Sequence, residues 1–210
     1  MDFINCDFPI QVELIPKEKT THALILLHGY AENAELMKAR FQNMKTDHDL
    51  IIYQGFFPLP RKTEGIWHLN YAWYFHDDFE QGYLISPEFP AGLINQHLKQ
   101  YSYDSYTIIG YSQGGFLAPF IAKDNLKVKK VYGVGCQFLF DKLELNKLTF
   151  ELTQIHGAND DVINHQSARE EFTKFNSFGN TGDFITLDKI KHSFPNNSVR
   201  LIEKLLRSSP

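Results

Sequence analysis

With 210 residues, 43% hydrophobic and 22% charged, the chain carries enough apolar side chain for a substantial core, and this mixture excludes a disordered tract. A net charge of −4 gives no reason to expect nucleic acid as a partner. Two cysteines, Cys6 and Cys136, make no disulfide framework, no Cys spacing fits a metal, and no apolar run reaches bilayer length. A reduced, cytoplasmic protein with no integral membrane segment is expected.

No basic-then-apolar leader opens the chain, since Met1-Asp2-Phe3-Ile4-Asn5 leads on to Asp7. The first strong element is Ala23–Leu27, a continuous apolar run ending at His28-Gly29, the pattern of a strand covered on both faces. From Glu32 to about Met44 a helix is predicted, with Leu36, Met37, Phe41 and Met44 at helical spacing. Leu50–Tyr53 predicts the next strand. Residues 54–86 then lose all periodicity: proline, glycine and aromatics crowd "YQGFFPLP" and "WHLNYAWYF", and a long irregular loop is expected.

Helical pattern returns over Glu88–Tyr101, then a strand at Tyr106–Ile109 and a helix from Gln113 to about Lys123. Pro119 sits inside that helix and is expected to kink it by removing a backbone bond. Strands are predicted at Lys130–Val134 and Glu151–Ile155. Ala168, Phe172 and Phe175 mark a helix after Asn164, and Phe184–Leu187 makes a last strand. Asn197 is expected to cap a closing helix with Val199, Ile202, Leu205 and Leu206 on its apolar face. Strand and helix alternate with no repeat and no linker, which predicts one α/β domain over residues 1–210 with a mainly parallel sheet.

The segment Gly110-Tyr111-Ser112-Gln113-Gly114 joins a strand directly to a helix. A serine hydroxyl is a weak nucleophile until a base takes its proton and a third group orients the base, and the reaction also needs donors aimed at the oxyanion. Strand–Gly-x-Ser-x-Gly–helix is the nucleophile-elbow pattern, in which small flanking residues permit a sharp turn and the acid and then the histidine follow in chain order. After Ser112, strand Glu151–Ile155 runs into His156-Gly157-Ala158-Asn159-Asp160-Asp161, which puts a carboxylate just past a strand's carboxyl end, where sites in open α/β sheets gather. Of the nine histidines, His192 alone lies past the last predicted strand. Upstream, Leu27-His28-Gly29-Tyr30 offers a second donor: the Tyr30 N–H, presented beside that of Gln113.

Together "LLHGYAEN", "GYSQGG", "HGANDDV" and the late His192 resemble the phospholipase/carboxylesterase family of small α/β hydrolases, which includes acyl-protein thioesterases. The matches run from about residue 23 to 206. The resemblance implies an α/β-hydrolase fold, a mainly parallel central sheet with helices on both faces. It implies Ser112 as nucleophile, Asp160 as orienting acid, His192 as base, and the Tyr30 and Gln113 N–H groups as oxyanion hole. The implied substrate is a small acyl ester or thioester, and no cofactor is implied. The segment Phe56–Phe79 departs from the family's usual substrate loop.

Plainer readings stand beside these. Ser112 is also what a polar turn contains, Asp160 sits in an Asn-Asp-Asp turn cluster, and His192 is also a loop histidine. Phe56, Phe57, Trp73, Tyr74 and Phe75 either wall an acyl site or simply fill core. His68, His76, Asp77 and Asp78 have no metal-ligand spacing, so no metal is expected. His28 and His156 read as structural hydrogen-bonding groups, Cys136 as a small buried hydrophobe, and Lys123, Lys127, Lys129 and Lys130 as a solvated strand edge. Two rival functions remain at this stage: a hydrolase of amide or peptide bonds, and a noncatalytic binder of a small ligand on the same scaffold.

Overall fold

The structure, a computed structural model, describes residues 9–207 apart from 18–19, 78–81, 139 and 144–146. Cys6 and Asp78 lie outside these described residues. In chain order the elements are β1 (Val12–Ile15), β2 (His22–Leu27), α1 (Ala34–Phe41), β3 (Asp49–Tyr53), β4 (Phe57–Thr63), β5 (Ile66–Ala72), β6 (Phe75–Asp77) and β7 (Gly82–Ile85). There follow α2 (Glu88–Leu98), β8 (Ser105–Tyr111), α3 (Gln113–Lys123), β9 (Val128–Val134), a 3₁₀ turn at Phe140–Lys142, β10 (Glu151–Gly157), α4 (His165–Asn176), β11 (Phe184–Leu187) and α5 (Asn196–Arg207).

Among the described residues, the main sheet has the order β1-β3-β2-β8-β9-β10-β11. The short edge strand β1 pairs antiparallel with β3 and every other neighbour is parallel. Both faces are covered, which is why the central strands read as unbroken apolar runs. Ala23, Ile25 and Leu27 of β2 belong to one buried cluster, with side chains of α2, α3 and α4. Leu24 and Leu26 belong to the opposite cluster, with Met37 and Phe41 of α1 and Val199 and Ile202 of α5. All five β2 residues Ala23–Leu27 are fully buried. The α/β-hydrolase architecture expected from the sequence is therefore present.

Several boundaries differ from expectation for identifiable reasons. Helix α1 begins at Ala34, two residues later than Glu32, because the Asn33 side chain accepts from Leu36 N–H and caps it. Asn197 lies inside the first turn of α5, which starts at Asn196. Helix α3 runs through Pro119 to Lys123, the bounds expected from the sequence.

The larger correction concerns residues 54–86, expected as an irregular loop. They form two antiparallel ladders, β4–β5 and β6–β7. The β4–β5 turn is Glu64-Gly65, with φ of 51° and 83°, and Thr63 pairs with Ile66 across it. Positive φ at both central residues is the geometry whose twist matches a two-residue hairpin.

Candidate active site

The strand order reverses between β2 and β8: β3 lies outward of β2 on one side, and β8 through β11 build outward on the other. Crevices at such a switch point, beyond the carboxyl ends of the strands, are where open α/β sheets hold ligands. The turn after β2 (His28 to Glu32) and the turn after β8 (Ser112) face each other there.

Ser112 occupies the corner between β8 and α3 with φ 47° and ψ −115°. A non-glycine residue held in so sparse a region costs on the order of 1–3 kcal/mol and persists only where its surroundings over-determine it. Here Ser112 N–H donates to Val134 O at 2.9 Å, and Ser112 O accepts from Phe116 N–H at 3.0 Å. The flanking glycines are demanded by close approach: a Cβ on Gly110 would lie 2.3 Å from Gly114 O, and one on Gly114 would lie 2.5 Å from His28 O.

The ends of β10 and β11 are joined by Ala158 N–H to Leu187 O and Asn159 N–H to Ile190 O, both 2.9 Å. This brings two loops together. His192 Nδ1 lies 3.1 and 3.0 Å from Asp160 Oδ1 and Oδ2, and His192 Nε2 lies 3.1 Å from Ser112 Oγ. The Asp160 side chain is fully buried, and its Oδ1 accepts from Val162 and Ile163 N–H at 3.0 and 2.8 Å. His156 sits behind it, with Nε2 3.0 Å from Ile163 O and 3.4 Å from Asp160 Oδ2, a structural position as expected. Asp161 points outward instead: it accepts from Lys191 Nζ at 3.2 Å, the main cause of its lowered pKa, and from His192 N–H at 3.4 Å.

The two expected donors have no hydrogen-bond partner among the described residues: Tyr30 N–H, in the turn after β2, and Gln113 N–H, at the start of α3. Beneath them His28 is fully buried, with Nε2 accepting from Gly55 N–H at 2.8 Å and Nδ1 2.7 Å from Gly29 O. Burial pushes its pKa down to about 4, so the ring is neutral and its proton sits on Nδ1.

Beside Ser112 opens a cavity of about 300 Å³ lined by Tyr74, Gln113, Phe116, Cys136, Gln137 and Ile163. Of the five aromatics expected from the sequence, Tyr74 reaches this wall. Trp73 is fully buried beneath the site, donating Nε1–H to His28 O at 2.8 Å, and Phe56 packs edge-on against it. Phe57 and Phe75 pack against each other with their rings tilted, and Phe57 also meets Phe89. The Gln113 side chain ties this segment to the serine corner, accepting from Trp73 N–H at 2.9 Å and donating to Tyr74 O at 2.8 Å. Cys136 is buried and its thiol pKa is pushed far up by desolvation, so it offers no thiolate. Among the described residues no group of three metal-ligating side chains gathers, and no helix is long and apolar enough to cross a membrane.

Sequence reasoning missed Phe116, Gln137 and Ile163. The first was available: it lies one helical turn beyond Ser112, on the same face. The others follow β9 and β10, and their reach depends on the packing of those loops.

Strand order, helices on both faces and a serine at the β8–α3 corner define the α/β-hydrolase class of fold. The sequence model of the Phospholipase/Carboxylesterase family matches residues 11–209, and the chain belongs to that family, hence to the carboxylesterase/thioesterase type of hydrolase. No curated protein matches the chain by sequence. Among solved structures, a carboxylesterase from Mesorhizobium loti is similar at 16% identity and a TM-score of 0.78, covering 95% of both chains. Zea mays acyl-protein thioesterase 2 is similar at 15% identity and 0.74, covering 94% of this chain and 98% of that one. The Bacillus cereus carboxylesterase is similar at 14% and 0.72, covering 94% and 93%. At these identities the likeness speaks for the fold.

Proposed function

We propose that this chain, working as one domain without a cofactor, hydrolyses a carboxylic ester or thioester of a small acyl substrate through an acyl-enzyme. His192 Nε2 takes the Ser112 hydroxyl proton as Oγ attacks the acyl carbon, and Asp160 steadies the imidazolium that forms. The carbonyl oxygen gains charge in the cleft between the Tyr30 and Gln113 N–H groups, whose unused donors stabilise it. His192 then gives its proton to the leaving alcohol or thiol, and the acyl–oxygen bond to Ser112 remains. Water, deprotonated by His192, attacks that acyl group and releases the acid and free Ser112.

The observation that carries this reading is the unbroken line Asp160–His192–Ser112 at hydrogen-bond distance, with two unpaired backbone donors beside it. Hydrolase family membership and the cavity next to Ser112 support it further. Ser112→Ala is expected to abolish both turnover of aryl esters and labelling by a fluorophosphonate. Unchanged turnover in that variant ends the proposal. Stoichiometric labelling of the native chain separates a catalyst from a binder, and a panel of esters, thioesters and amides at equal concentration separates acyl-bond classes.

A further inference from the structure

In the turn from Gly29 to Glu32 the backbone N–H groups can be accounted for one by one. Gly29 N–H donates to Glu32 Oε2 at 3.1 Å, Ala31 N–H to Tyr71 O at 3.0 Å, and Glu32 N–H to Gly29 O at 3.3 Å. Tyr30 N–H alone is left over. Two of the four donors are satisfied within the turn and one by Tyr71 of β5, so the turn is held in shape while the Tyr30 N–H stays available to an incoming acceptor.

The side chain that closes the turn is Glu32, and it is held in its turn by Arg40 from α1. Arg40 Nη1 donates to Glu32 Oε2 at 2.7 Å and Nη2 to Oε1 at 2.5 Å, a two-pronged contact with both side chains at most one-fifth exposed. The guanidinium lies over the rings of Tyr111 and Phe194, 5.0 and 5.6 Å from their centres. Tyr111 packs against the His192 ring at 5.5 Å, and Phe194 is two residues beyond His192. One ion pair therefore braces the donor turn directly and the base through the Tyr111 ring, which Phe194 backs.

Resting on the acyl transfer proposed above, we infer that Glu32 and Arg40 are positioning residues: the pair holds Tyr30 N–H aimed at the oxyanion and His192 in line with Ser112. Neither touches the reacting atoms. A planar fork is required, since an ammonium cannot grip both carboxylate oxygens and stack on two rings at once.

The test uses Arg40→Lys, Arg40→Ala and Glu32→Gln in the full chain, each titrated to completion with a fluorophosphonate so that kcat on p-nitrophenyl acetate is expressed per competent serine. Displacing rather than deleting a donor is expected to lower that kcat by roughly 10- to 100-fold while KM changes little. An alkyl boronic acid, which binds as a tetrahedral adduct, should lose affinity by a similar factor. If the fraction of competent serines falls while kcat per serine stays at the native value, the pair is merely structural and the inference is overturned. Where Arg40→Ala does not fold, Arg40→Lys and Glu32→Gln carry the same criterion. Failure of the underlying chemistry is separable: Ser112→Ala that still hydrolyses ester sinks both, whereas a dead Ser112→Ala beside fully active Arg40 variants sinks this inference alone.

Discussion

Asp160 and Asp161 are neighbours in sequence with opposite surroundings. The Asp160 side chain is buried, accepts two backbone N–H bonds and faces His192 Nδ1, while Asp161 reaches out to Lys191 in solvent. An amide in place of the Asp160 carboxylate keeps the shape but favours the wrong imidazole tautomer, so Asp160→Asn is expected to lower kcat by about a thousandfold or more. An exposed ion pair is worth little, so Asp161→Asn should stay within about threefold of native activity. Steady-state kinetics on one aryl ester decides the matter, and the reverse ranking would move the acid by one position. At this scale Ser112 and His192 were legible in the sequence because chain order and strand ends locate them. The Glu32–Arg40 pair was not, since it joins a loop to a helix eight residues on, a spacing with no local rule behind it.

Among the elements, those whose stability comes from burial were the readable ones. Strand β2 and helices α3 and α4 carry apolar patterns set by the sheet faces they cover, and α3 begins and ends where the sequence predicts. The β4–β5 hairpin was missed because most of its residues are exposed, so no alternation of burial marks it, and because Pro58 and Pro60 argue against a strand. Its turn is Glu-Gly rather than the stronger Asn-Gly or Asp-Gly signal. The two kinds of turn predict different responses to a methyl group. Gly65 has open space around it, so Gly65→Ala meets only the strain of its positive φ, about 1 kcal/mol, with native activity. Gly114→Ala drives a Cβ into His28 O at 2.5 Å, where backbone must move. It is expected to cost about 3 kcal/mol and most of the turnover. Urea unfolding and ester assays on the two variants check this, and equal losses would mean that the serine corner is less tightly packed than its distances state.

For the whole molecule, the alternation of elements was legible but the strand order was not: no periodicity tells β8 to settle beside β2 rather than β3, a choice made by long-range packing. That choice buries His28 under the switch point, and burial has a consequence for the entire fold. Each histidine whose pKa is displaced among the described residues is displaced downward, with desolvation the leading cause at His22, His28, His48, His97 and His165. In the native state His28 titrates near 4, against 6.5 when unfolded. Between those values the unfolded chain binds a proton that the folded chain refuses, so stability rises with pH through this window and is lost on acidification. Two and a half pH units at about 1.4 kcal/mol each give on the order of 3 kcal/mol from His28 alone. The mechanism is local: protonating Nε2 sets a new N–H against the Gly55 N–H that it now accepts. Urea unfolding from pH 7 to pH 4.5 should show the free energy falling with a slope of at least about one proton per molecule below pH 6. A flat profile would mean that His28 is protonated in the folded chain, and the neutral ring beneath the Tyr30 turn would have to be abandoned with it.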